Sequence, residues 1–199
     1  MPGNDGIYTL VKQNGNPNWI RPVMFNPENG IPNYIAKDFN PLDILKIDCG
    51  GNIVEGSHTE DTYFQTITKV GSVAMTSEML NLFCDRTHKM LFGNSGNSLT
   101  KNEFRDGNYS VMLIKPENPK FQTTIDFISG KKRSRVHFIY LGIPYNLPIT
   151  DPVCLNKLQR AESATIARQT GDIYMVISLG VEYQSWHYKL AASIFDLTA

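Results

Sequence analysis

The residues best suited to chemistry gather first in Gly130-Lys131-Lys132-Arg133-Ser134-Arg135, a basic turn that runs into Val136-His137-Phe138-Ile139-Tyr140. Four cations leading into aromatic strand residues suit a phosphate-bearing strand, because cations neutralise phosphates while rings stack on bases. The same charges also suit a solvated turn that keeps a strand edge from pairing with other chains. Lys115, Lys120 and Lys189 add cations to the same half of the chain. A second run, Trp19-Ile20-Arg21-Pro22-Val23, alternates so that Trp19, Arg21 and Val23 share one strand face. An indole beside a guanidinium can stack a base and hold a phosphate. The competing reading, which the size of the indole favours, buries Trp19 and pairs Arg21 with an acid such as Asp43.

Other groups carry less. In Thr150-Asp151-Pro152 the aspartate could accept hydrogen bonds from a base or ribose, but Asp before Pro is first a turn former. Cys84 and His88 are spaced to share one face of a helix, with Cys49 as a third metal donor and no fourth. Neither a metal nor a cofactor is expected. Nucleotide-cradling glycine loops, zinc-protease helices and nucleophile elbows are all missing. The one adjacent acidic pair, Glu60-Asp61, reads as a loop. The expectation is a binding module and not an enzyme.

The elements that must position these residues are mostly strands. Asn14-Gly15, Asn29-Gly30, Gly50-Gly51, Gly93-Asn94, Asp106-Gly107 and Ser129-Gly130 punctuate the chain. Between them, runs rich in Val, Ile, Tyr, Phe and Thr predict strands at 7–11, 19–25, 44–47, 63–70, 110–114, 121–128, 136–141, 145–149, 173–179 and 188–194. Short strands at this spacing favour barrels or sandwiches. Thr76-Ser77-Glu78 offers a helix start, and the apolar period predicts a helix over 77–91. A weaker helical stretch covers 155–168, and 94–108 reads as a loop or boundary. The fold class is therefore all-β with one or two short helices.

The 199 residues carry equal numbers of acidic and basic side chains, which excludes a strongly basic coat. The distribution is uneven. Residues 1–100 hold 7 basic and 10 acidic side chains, and residues 101–199 hold 12 and 9, so a polyanion site belongs in the second half. Three separated cysteines argue against a disulfide framework and fit a reducing compartment. With no leader pattern or membrane-length apolar run, the expected location is cytoplasmic, without a membrane partner.

Taken in order, several runs resemble the dual OB-containing domain family of prokaryotes. They are Trp19-Ile20-Arg21-Pro22-Val23, Pro41-Leu42-Asp43-Ile44, Ser110-Val111-Met112-Leu113-Ile114-Lys115-Pro116, Tyr140 with Tyr145-Asn146-Leu147-Pro148-Ile149-Thr150-Asp151-Pro152, Ser178-Leu179-Gly180, and Tyr188-Lys189-Leu190. The resemblance implies two tandem OB-like barrels, a bacterial or mobile-element setting, and nucleic-acid or nucleotide binding. The family's opening strand and its basic Ser-Arg-Lys and Gly-Gly-Arg-Cys segment are missing or altered here, where MPGNDG leads directly into the first strand.

On this reading the first barrel covers 1–100, with the 77–91 helix plugging its end, and the second covers 101–199. The expected nucleic-acid face is Lys132, Arg133, Arg135, His137 and Tyr140, with Trp19, Arg21 and Lys189 at the junction and Asp151 nearby. The expected partner is single-stranded DNA or RNA. Alternatives are a nucleotide or small-ligand sensor between the barrels, or a non-catalytic subunit contacting other proteins of its locus.

Overall fold

The computed structural model describes residues 9–13, 16–24, 31, 33–52, 58–105, 109–126, 130–160, 167–168 and 172–197. The opening residues 1–8, where the family's basic segment would stand, lie outside these. So do the turns at Asn14-Gly15, Asn29-Gly30 and Asp106-Gly107. The chain divides into two compact units, Met1–Met75 and Thr76–Ala199. The division falls at 75/76, where the sequence pattern places it at 100.

The first unit carries β1 (Thr9–Gln13), β2 (Asn16–Val23), the short helix α1 (Asn33–Ala36), β3 (Asp43–Asn52) and β4 (Asp61–Ser72). They form one sheet in the order β1-β2-β4-β3, with β2 parallel to β4 and the other neighbours antiparallel. The β3–β4 register shifts at three places, Ile44/Leu45, Asp48/Cys49 and Cys49/Gly51. Such bulges bend a strand pair and raise its twist. Val23 and Ile31 are buried here.

The second unit opens with α2 (Ser77–Phe83), then a 3-10 turn at Leu91–Gly93, β5 (Ser98–Thr100), α3 (Lys101–Arg105), β6 (Val111–Ile114), β7 (Glu117–Ile125), β8 (Lys132–Tyr140) and β9 (Ile143–Pro148). After these come α4 (Pro152–Arg160), β10 (Ala167–Arg168), β11 (Ile173–Leu179) and β12 (Trp186–Asp196). The pairings close a ring. β7 pairs with β8 and β8 with β9, Ile149 bridges Ala191 of β12 in parallel, β12 pairs with β11, and β11 with β6. β6 and β7 act as one long first strand, interrupted at Lys115-Pro116, where proline withholds a ladder donor. A closed ring of five strands, with α4 between the third and fourth in chain order, is an OB barrel.

Its interior follows from alternation. Along β8, Ser134, Val136, Phe138 and Tyr140 are buried while Arg133, Arg135, His137 and Ile139 are not. Val136, Phe138 and Tyr140 pack with Phe121, Tyr145, Leu147, Ile173, Met175 and Ile177. All seven residues of β11 are buried, as a strand covered on both faces requires. Part of its outer cover is α2, whose Ser77 carbonyl accepts from the Tyr174 hydroxyl at 3.3 Å.

Two helical expectations and one loop expectation change. The helix predicted over 77–91 starts as foreseen, with the Thr76 hydroxyl accepting from the Met79 amide at 3.2 Å, but ends at Phe83. Cys84 forms a bridge with Leu113, and the Asp85 amide donates to the Leu113 carbonyl at 2.8 Å. Strand pairing thus takes the backbone from the helix, and α2 falls within the second unit. The 155–168 stretch becomes α4, begun earlier by the Asp151 cap, and Ala167 and Arg168 pair with β7 instead. The 94–108 loop contains β5 and α3, joined by a capping box. There the Glu103 carboxylate accepts from the Thr100 amide at 2.7 Å, and the Thr100 hydroxyl accepts from the Glu103 amide at 3.3 Å.

Candidate nucleic-acid interface

The outward residues of β8 sit in rows with those of β7 and β9, because residues opposite one another on paired strands share a face. One row is Lys120, His137 and Asn146, and the next is Gln122, Arg135 and Pro148. Lys120 is exposed, while His137 and Arg135 are half-buried. Against the His137 row lies a cleft of about 650 Å³, lined also by Ser95, Gly96, Asn97, Ile139 and Pro144. In OB barrels the face of the second and third strands is where oligomeric ligands lie. Here those strands are β8 and β9.

Arg135 anchors the face. Its Nε donates to Asn146 Oδ1 at 2.7 Å and its terminal nitrogen to the Asn146 carbonyl at 2.5 Å. Both acceptors are neutral, so the guanidinium is held in place without being neutralised. Burial, and then the like charge of Arg133, lower its pKa, yet an arginine stays charged at any physiological pH. Among the described residues, neither Arg135 nor Lys120 has a carboxylate partner. Arg133 differs, since its guanidinium pairs with Asp126 at 2.8 Å. Arg135 and Lys120 therefore keep charge to offer a phosphate, where Arg133 does not.

Asn94 anchors the loop at 95–97 that lines the cleft. Its carbonyl accepts from Lys189 Nζ at 2.8 Å and from the Tyr145 hydroxyl at 3.1 Å. Its side-chain oxygen accepts from Lys189 Nζ at 2.7 Å and from the Gly96 amide at 3.0 Å. The Lys189 amide donates to the Asn97 carbonyl at 2.9 Å. Lys189 has no exposed surface and lies 5.2 Å from the centre of the Tyr145 ring. Burial brings its pKa down to about 8, against a smaller opposing pull from Glu103.

The other residues singled out in the sequence are placed elsewhere. Lys132 occupies the inward register of β8 at its exposed start, away from Arg133 and Arg135, and reaches the Gln159 carbonyl at 3.5 Å. Tyr140 is buried, and its hydroxyl donates to the His88 carbonyl at 3.1 Å. It offers no ring for stacking. Tyr140→Phe should cost about 1 kcal/mol of stability by removing that bond, measurable as a lower denaturant midpoint; an unchanged midpoint would count against the hydrogen bond.

Asp151 is buried as the cap of α4, accepting from the Val153 amide at 2.8 Å, the Cys154 amide at 3.0 Å and the Ile194 amide at 2.6 Å. It serves the turn and not a ligand. In the first unit Trp19 is half-buried, and Arg21 is buried with both arms on Asp61, at 2.5 and 2.6 Å. Asp43, named from sequence as a partner, pairs with Lys69 at 2.8 Å.

Cys84 and His88 are not on one helix, since α2 stops before both. Burial pushes the Cys84 thiol up to about 11, away from the thiolate a metal needs. His88 Nδ1 faces the Asp85 carboxylate at 2.7 Å. No group of three metal-donor side chains occurs among the described residues. The three cysteines are unpaired, and Cys49 is exposed. No helix among the described residues is long and apolar enough to cross a membrane.

Sequence reading missed Asn94, Asn146 and the loop at 95–97. The Thr100-Lys101-Asn102-Glu103 spacing could have signalled the capping box that follows this loop. Compared with known proteins, the dual OB-containing domain model matches residues 6–194. No curated protein and no solved structure matches the chain.

Proposed function

Because the chain belongs to the dual OB-containing domain family, we propose that its second barrel binds single-stranded nucleic acid across the outward face of β8 and β9. The observation that carries this reading is Arg135, a guanidinium held on that face by the neutral Asn146, with Lys120 and His137 in the adjoining row. A positioned, unneutralised arginine beside a second cation is suited to tracking phosphates. The role is binding without catalysis, and other proteins of the same locus are its candidate partners.

The test is oligonucleotide binding across a salt titration. Arg135→Ala should weaken binding by about tenfold or more, the worth of a charged hydrogen bond. It should also flatten the slope of log affinity against log salt by up to about 0.7 for each phosphate of a single strand that the variant no longer neutralises. Lys120→Ala should flatten the slope in the same way. Arg133→Ala should do less, because Asp126 already neutralises that residue. Wild-type affinity unchanged in Arg135→Ala would remove this face from the site.

The cleft beside His137 favours one second reading, a mononucleotide bound alone, since its volume lies in the range of small-ligand sites. Affinity independent of oligonucleotide length would select that reading over a strand-tracking one.

A further inference from the structure

A row of aromatic side chains stands in solvent on the same barrel, in a part of the sequence that carried no site expectation beyond Lys189. Trp186 and Tyr188 are each 42 % exposed, and Tyr183 is 62 % exposed. Trp186 and Tyr188 are two residues apart on β12, so they project from one face of the strand. Tyr183 lies directly opposite Trp186, with reciprocal backbone bonds of 2.8 and 3.0 Å between them. The three rings thus share one surface.

The turn that sets this geometry is itself unusual. Gln184 and Ser185 both take left-handed backbone, at φ 51° and 67°, in a two-residue hairpin where glycine or asparagine is normal. Large rings are commonly buried, and here a tight turn holds three of them outward.

The strand that carries the row is bonded to a loop that lines the cleft. Tyr188 pairs with Ser98, and the next residue of β12, Lys189, is bonded through its amide to Asn97 in the cleft wall. In chain order Tyr183 belongs to the loop between the fourth and fifth strands of the barrel, one of the two loops that flank an OB ligand face.

We infer that Trp186, Tyr188 and Tyr183 form a base-stacking extension of the site, receiving the unpaired bases of a strand whose phosphates lie on Arg135 and Lys120. This rests on the nucleic-acid reading above. Stacking takes any base but requires it to be unpaired, so the extension selects single strands over duplex without reading sequence. The surrounding chemistry agrees with that occupant. Glu182, the acid beside Tyr183, is paired with Lys101 at 3.3 Å, which leaves the aromatic surface close to neutral.

The experiment compares the full-length protein with Trp186→Ala, Tyr188→Ala and Tyr183→Ala, after a melting curve shows each variant folded. The probes are a 12-nucleotide oligothymidylate, an abasic sugar-phosphate strand of equal length, and a duplex of the same length. Wild type should prefer the oligothymidylate to the other two. Trp186→Ala and Tyr188→Ala should each lose about fivefold to a hundredfold in oligothymidylate affinity. They should keep the wild-type salt slope and bind the abasic strand as wild type does.

Aromatic variants that bind like wild type, while Arg135→Ala does not, would overturn the stacking extension and leave the strand-binding reading standing. Wild type that binds none of the probes at low salt would overturn both. Self-association abolished by Trp186→Ala, with oligonucleotide affinity intact, would reassign the row to an interface between copies of the chain.

Discussion

Arg21→Met is expected to destabilise the first unit by about 3–5 kcal/mol, the cost of stranding a buried charge. Arg21 on β2 and Asp61 on β4 face one another in register across parallel strands. Only 8 % of Arg21 and 2 % of Asp61 is exposed. Two parallel bonds, at 2.5 and 2.6 Å, join guanidinium to carboxylate. Removing the arginine leaves an anion with no water to solvate it. Removing both should cost much less, because the pair gains little beyond the desolvation it offsets. Arg21→Met with Asp61→Leu should therefore recover most of the lost stability, and the double-mutant cycle should show strong coupling. Equilibrium denaturation in a Trp186→Phe background, where Trp19 is the one fluorescent tryptophan, measures all three variants. An unchanged midpoint in Arg21→Met would make this arginine a ligand-binding candidate again, a role that its ion pair now takes from it.

The strands were legible because their signals are local. The run Ile173-Tyr174-Met175-Val176-Ile177-Ser178-Leu179 is apolar almost throughout and becomes β11 over the predicted residues. In β8 the alternation of Val136, Phe138 and Tyr140 with His137 and Ile139 is visible in the sequence and fixes both faces. Applied strictly, it sends Tyr140 and the register of Lys132 inward. Composition alone groups both with the outward cations. The helix was overextended for a different reason. Met79, Leu80, Leu82 and Phe83 carry a true helical period, but Met90 and Leu91 belong to the turn beyond. What ends α2 is the pairing of residues 84 and 85 with Leu113, a partner some thirty residues away. No local pattern records such a competitor. The same limit hid the cleft wall. Asn94 matters because Lys189 and Tyr145 converge on it from strands distant in sequence. Lys189 looked like a surface cation because lysine usually is one.

That burial makes the pH dependence of stability the second large effect. Lys189 has its pKa lowered from 10.5 to about 8 in the folded chain, chiefly by desolvation. Below pH 8 both folded and unfolded chains hold the proton, and the fold bears the full cost of the buried charge. Between pH 8 and about 10.5 the unfolded chain still binds a proton that the folded chain has released. Through that window this group makes stability rise with pH, and the gain amounts to about 3 kcal/mol. Tyr109, Tyr140, Cys84 and Cys154 act in the opposite direction, since burial raises their pKa values and the unfolded chain loses those protons first. The wild-type curve alone therefore mixes the two trends. Lys189→Met separates them, because every other group is common to both proteins. The substitution keeps an unbranched stem in the same space. It also leaves the Asn94 oxygens with partners, the Tyr145 hydroxyl on the carbonyl and the Gly96 amide on the side chain. Lys189→Met should be at least as stable as wild type at pH 7. Its advantage should shrink as pH rises from 8 toward 10.5, by about 3 kcal/mol in all. Urea titrations of both proteins at half-unit pH steps measure the difference curve directly. A difference that stays flat across the window would mean that Lys189 keeps its proton in the fold, held by the Asn94 oxygens and the Tyr145 ring more strongly than burial opposes it.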